Sequence, residues 1–226
     1  MAFSNRLLTS AVFALALVAA TAPAFASNTP EMDSAVERIQ HDWEHIKYQV
    51  QGTSAQHKEI RALVGEAHAV SDRYPNRAEP LIWEGIVNSE AAAMSSGFEA
   101  LGFANAARRL FEAAYRIDPH TLEAGAGTSL GVLYDRVPGF PIGFGDKAKA
   151  RRYLAEAVSF APDGLDANFF YGAFLNGQGD YAEARKVLEH ALALPPHPDR
   201  PLWDAGRRQE IRAQLTKVNA RLRTAG

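Results

Sequence analysis

Residues 165–198 read LDANFFYGAFLNGQGDYAEARKVLEHALALPPHP. The stretch divides at Gly179-Asp180-Tyr181, a turn signal between two patterns of helical spacing. Tyr171-Gly172 stands in the first pattern. In the second, Ala184, Leu188 and Ala191 step by four and then three, which puts them on one helix face. Pro196 stops that helix. Gly172 and Ala184 are small where two antiparallel helices must cross closely, and Ala191 lets the next helix approach.

The segment is 34 residues long, and its pattern of small, aromatic and proline positions matches the tetratricopeptide repeat. The scheme recurs upstream in residues 124–164. Leu130-Gly131 and Tyr134 fit a first helix there, and Ala150, Leu154, Ala157 and Pro162 fit a second. Gly131 and Gly172 are 41 residues apart, seven more than one period, and the surplus falls in 137–146, VPGFPIGFGD. A further unit holds Trp83, Ala107, Phe111, Ala114 and Pro119, stretched around residues 94–103. Residues 31–51 and 55–74 read as one more helix pair of poor register. Residues 201–224 read as a single long helix suited to capping the stack, with Ile211, Leu215, Val218 and Leu222 along one face. Sustained alternation, the mark of a strand, is missing. The expected fold is therefore all-α: a tetratricopeptide-like solenoid of helical hairpins with a C-terminal capping helix. One hairpin cannot bury its own apolar face, so the hairpins must stack.

Residues 1–26 read as an export leader. Arg6 is the one cation, residues 11–20 (AVFALALVAA) are an unbroken apolar run, and Ala24-Phe25-Ala26 offers a cleavage site. That run is far shorter than the roughly 20 apolar residues a spanning helix needs. Cleavage after Ala26 would leave 27–226 as one domain in the periplasm, with no stable membrane insertion.

Composition narrows the function. With 24 basic against 26 acidic side chains, net charge −2, bulk charge does not favour nucleic acid. Cysteine is absent, which removes disulfides, Cys-ligated zinc and thiol chemistry. The charge is uneven: residues 199–226 carry seven basic and three acidic side chains. A basic cap suits either an acidic partner or plain solvation.

Three runs together resemble the TatT family, the tetratricopeptide-type T-component associated with some TRAP transporters. They are Thr128-Ser129-Leu130-Gly131-Val132-Leu133-Tyr134 with VPGFPIGFGD after it, Asp166 through Gly172, and Arg200-Pro201 followed by Asp204-Ala205-Gly206-Arg207-Arg208-Gln209-Glu210-Ile211. The resemblance spans residues 80–222. It implies an all-helical periplasmic protein whose partner is the substrate-binding protein of a TRAP system, and it implies a homo-oligomer, since some members form trimers. Members can be lipoproteins, but this chain has no cysteine to lipidate.

Candidate site residues follow from the repeats and the insert. In a repeat array the first helices line the concave surface, which singles out Trp83, Tyr134, Asn168 and Phe169, with Arg136 beside them. Tyr134 also holds a packing position. The insert places Phe140, Ile142 and Phe144 at alternate positions in a connection that should be polar. Either they tuck onto the neighbouring helices as a plug, or they wall a site for a protein partner or a small hydrophobic molecule.

Other motifs carry less. Gly127-Thr128-Ser129-Leu130-Gly131 satisfies G-x-S-x-G, but a nucleophile elbow needs a strand before it, and these residues lie within a helical pattern. Gly143-x-Gly145-x-x-Ala148 also lacks a preceding strand, and Asp146 reads more simply as the N-cap of a helix over 147–160. His41 and His45 share a helix face with Glu44, yet no third metal ligand is in view. The expectation is a non-catalytic interaction protein with no cofactor and no metal. The alternative is a small-ligand binder using a groove beside the insert.

Overall fold

The computed structural model describes residues 29–225. The expected leader, 1–26, lies outside them. Among the described residues the chain forms α1 (Pro30–Tyr48), α2 (Thr53–Arg73), α3 (Ala78–Met94), α4 (Gly97–Ile117), α5 (Thr121–Arg136), α6 (Lys147–Phe160), α7 (Leu165–Gln178), α8 (Tyr181–Ala193) and α9 (Pro201–Ala225), with no strand.

Consecutive helices pair as antiparallel hairpins, α1 with α2 through α7 with α8, and α9 packs on α8. The helices form two layers that the sequence already distinguishes. The outer helices α4, α6 and α8 each bury one narrow stripe with a shared pattern: Ala107, Phe111, Ala114; Ala150, Leu154, Ala157; Ala184, Leu188, Ala191. The inner helices α3, α5 and α7 touch neighbours on both sides and bury residues all round, as a helix sandwiched between others must.

A glycine on each inner helix sets the depth of each crossing. A Cβ on Gly85, Gly131 or Gly172 would come within 2.5–2.6 Å of Phe111, Leu154 or Leu188 in the facing outer helix. Gly206 of α9 repeats the device, but the side chain it receives is Tyr48 of α1. The inner helices therefore form a closed ring, α1–α3–α5–α7–α9 and back to α1. One apolar cluster runs across the closure, from Met32, Val36, Ile39 and Trp43 of α1 to Trp203, Ile211 and Val218 of α9.

Helix ends are held in several ways. Thr29 caps α1 by accepting from Met32 N, and Asp146 caps α6 by accepting from Ala148 N and Lys149 N. Gly179 ends α7 in the left-handed conformation. The start of α5 is unusual. Leu122, Glu123 and Ala124 have φ of 51°, 53° and 60°, a left-handed turn of three non-glycine residues. Each costs about 1–2 kcal/mol against the right-handed form.

Two expectations gain detail. The stretch over 94–103 is taken up by the end of α3, the Ser95-Ser96 link and the first turns of a long α4. The basic tail divides: Arg200, Arg207 and Arg208 are ion-paired within the fold. Arg212, Lys217, Arg221 and Arg223 remain exposed.

Candidate functional site

The inner face of the ring is filled by the protein itself. Trp83 is buried, with its ring edge-on to Trp43 of α1 at 5.9 Å. The Arg200 guanidinium lies 4.2 Å from the Trp203 ring and 5.5 Å from Trp83, while its Nε donates to Glu44 Oε1 at 2.7 Å. Phe169 packs on Phe170 and lies under Arg207, itself 3% exposed, whose Nε donates to Asp166 at 2.6 Å. Glu210 takes a second bond from Arg207. Burial beside this network pushes the Tyr48 hydroxyl well above its ordinary value. Asn168 is 2% exposed and serves its own helix start, donating to the carbonyls of Pro162 (2.7 Å) and Gly164 (2.9 Å).

Sequence reasoning set Trp83, Asn168 and Phe169 along an open concave groove. The structure places all three in the interior: Trp83 and Phe169 because α1 and α9 meet and close the array where that groove would open, and Asn168 because it turns onto the carbonyls before α7. The repeat pattern shows which helices face inward; it does not show that the two ends touch.

The insert divides between the two expected roles. After α5 the chain turns tightly: Gly145 N donates to Pro138 O at 2.9 Å and Asp146 N to Tyr134 O at 2.8 Å. A Cβ on Gly145 would collide with the Val137 carbonyl, and one on Gly143 would stand 2.6 Å from Pro138 O, so only glycine fits. Phe144 turns inward, edge-on to Tyr134 at 5.7 Å and 4.3 Å beneath the Arg108 guanidinium. Tyr134 is buried and stacks parallel on Tyr153 at 5.8 Å. Burial and the Glu112 carboxylate raise its pKa. Arg136 is exposed at the end of α5, its guanidinium 5.7 Å from the Phe170 ring. Phe140 and Ile142 point outward, 95% and 67% exposed.

A third outward residue joins them. Gly143 backs onto Leu101 of α4, with 3.4 Å between its would-be Cβ and Leu101 Cδ2. Phe98, one turn earlier on the same side of α4, is 94% exposed. Phe98, Phe140 and Ile142 are thus three exposed apolar side chains, two on the insert and one on the helix that the insert backs onto; we refer to them together as the prong. Large apolar side chains left this exposed make this face a candidate interaction surface. Sequence reasoning missed Phe98. Its signal was a large apolar residue directly after Ser95-Ser96-Gly97, where the first turn of a helix is normally polar.

The remaining motifs take plain positions. Ser129 lies inside α5, between buried Thr128 and Leu130, with no strand before it. His41 and His45 are exposed on α1, and Glu44 is committed to Arg200. Among the described residues no group of three or more His, Asp or Glu could hold a metal ion. Among them too, no helix is long and apolar enough to cross a membrane.

Comparison with solved structures agrees with this architecture. TTC0263, a thermophilic TPR protein of Thermus thermophilus, superposes with a TM-score of 0.54 at 12% identity, over 84% of this chain and 91% of that one. The chain folds as a tetratricopeptide-repeat solenoid. MamA matches more loosely, with a TM-score of 0.44 at 17% identity, over 74% of this chain and 91% of its own. No protein-family model and no curated protein matches the sequence.

Proposed function

We propose that this chain is a non-catalytic interaction protein that engages a protein partner through the prong of Phe98, Phe140 and Ile142. The observation that carries the reading is the division of the aromatic side chains. Trp83, Tyr134 and Phe169 on the inner helices are packed into the interior, while Phe98 and Phe140 stand almost wholly in water and Ile142 is mostly exposed, the latter two on a glycine-locked turn. A rigid apolar anchor loses little conformational freedom on docking, which is what an interaction hot spot requires.

The specific version is a TatT-like accessory in the periplasm, exported by the 1–26 leader, whose partner is the substrate-binding protein of a TRAP-type system. The resemblance of VPGFPIGFGD and its neighbouring runs supports it, and a trimeric assembly belongs to the same reading. Affinity capture with the mature chain, 27–226, tests it. A solute-binding protein should be enriched by the wild type and lost with Phe98→Ser/Phe140→Ser/Ile142→Ser. Enrichment of unrelated proteins alone contradicts the transporter role, and equal enrichment by the variant contradicts the prong. Native mass spectrometry of the same sample reads the oligomeric state. The small-ligand alternative has less support, because Phe144, the insert aromatic that turns inward, is already packed between Arg108 and Tyr134.

A further inference from the structure

A cleft of about 470 Å³ lies where α1, α3 and α5 begin. Asp33 and Glu37 come to it from α1, Glu79 and Trp83 from α3, Asp118 from the α4–α5 connection and Leu122 from the first turn of α5. Among the described residues no lysine, arginine or histidine lines it. Concave walls that carry charge of one sign focus the field and concentrate counter-ions.

The fold answers these carboxylates unevenly. Glu79 faces Arg77 at 4.0 Å, and Asp118 accepts from His120 N and Thr121 Oγ1, each at 2.9 Å. Asp33 and Glu37 are exposed, and neither forms an ion pair among the described residues. They stand one turn apart on α1, where like charges repel. Asp33, in the first turn, gains from the positive end of the helix dipole. Glu37 lies a turn beyond that gain.

A buried donor shares the cleft. Trp83 is 4% exposed and lines it, and its indole N–H has no acceptor among the described residues. Indole nitrogen donates only, so the group calls for an acceptor. The Arg200 guanidinium, 5.5 Å from the Trp83 ring, cannot be one, because it too only donates, and it is committed to Glu44. Trp43 and Trp203 also hold unpaired indole N–H groups, but neither lines the cleft. The geometry points to a binding site for a small organic cation of the amino-alcohol or amino-amide class. Its ammonium is held by Asp33 and Glu37, its hydroxyl or carbonyl accepts from Trp83 Nε1, and its aliphatic part rests on Leu122. The site is at the opposite end of α5 from the insert, so it stands or falls separately from the prong.

The chain has one indole N–H signal for each of Trp43, Trp83 and Trp203, and Trp83→Phe identifies that of Trp83 in ¹H–¹⁵N spectra of the mature chain. Ethanolamine and glycinamide, added near neutral pH at constant chloride, are the probes, and ethylene glycol is the uncharged control. At least one of the two amines should move the Trp83 signal saturably while those of Trp43 and Trp203 stay in place, and ethylene glycol should move none. In Asp33→Asn/Glu37→Gln, changed only at exposed positions, the affinity should fall about tenfold at an unchanged melting midpoint. If the double variant melts lower, Glu37→Gln alone is compared. A Trp83 signal that neither amine moves overturns the site. An equal response to ethylene glycol, or undiminished affinity in the variant, overturns recognition of the cation by Asp33 and Glu37 and the proposal with it.

Discussion

A single missing carbon fixes the spacing of this solenoid. Gly85, Gly131, Gly172 and Gly206 occupy equivalent places on successive inner helices, at separations of 46, 41 and 34 residues. Each receives a large side chain against bare backbone. At Gly131 and Gly172 the intruding atom belongs to a leucine packed on all sides, so it cannot retreat. Gly131→Ala and Gly172→Ala should each lower stability by about 1–3 kcal/mol in urea unfolding, although alanine is the better helix former. Gly65→Ala is the control: a Cβ there meets nothing within 4 Å, and the change should stabilise α2 by roughly 0.5–1 kcal/mol. Asp204 supplies a second test at this scale. Its pKa is lowered in the fold, so its contribution is present above the unfolded value, about 3.9, and is lost as pH falls through the lower folded value. Asp204→Asn should therefore cost stability at pH 7, and the difference from wild type should narrow as pH falls below about 4.

Between elements, the insert and the start of α4 show what a sequence can and cannot say. The glycines and prolines of 137–146 announce an ordered turn, and the alternating Phe140, Ile142 and Phe144 announce an apolar one. Which of the three faces inward depends on Arg108 and Tyr134, whose positions come from other helices. The same holds for Trp83 and Phe169. Their helical phase, legible from the repeat, points them inward, but the helices that bury them, α1 and α9, lie far away in the chain. Phe98 went unread because its exposure is set by where α3 ends and α4 begins, within the stretched segment 94–103. The two sets of residues should separate in mutation. Phe98→Ser, Phe140→Ser and Ile142→Ser should each leave the melting midpoint almost unchanged, within about 0.5 kcal/mol of stability. Phe144→Ala should cost about 1–3 kcal/mol, through lost packing on Tyr134 and Arg108. Equal losses at all four positions would make the prong part of the core.

For the molecule as a whole, closure is the decisive feature. A solenoid is a chain of local contacts, and its stability is close to a sum over neighbouring repeats. Here α1 meets α9, and Glu44 meets Arg200 across 156 positions of sequence. The two ends thus share one apolar cluster instead of facing water separately, and the array should melt as one unit. Because Glu44 is almost fully enclosed, Arg200→Met strands a buried carboxylate and should cost about 2–4 kcal/mol. Adding Glu44→Gln should restore part of that loss, a coupling readable in a double-mutant cycle. Closure also fills the inner groove by which an open array would bind, and it is why the proposed contact surface is the outer prong. The direct test is affinity for a captured protein partner, measured side by side for three forms: wild type, Phe98→Ser/Phe140→Ser/Ile142→Ser, and Arg200→Met/Glu44→Gln. Binding should fall at least tenfold in the prong variant at an unchanged melting midpoint, and should persist in the closure variant. Binding that survives loss of the prong but strengthens when the closure is loosened would overturn this assignment and return the site to the inner face.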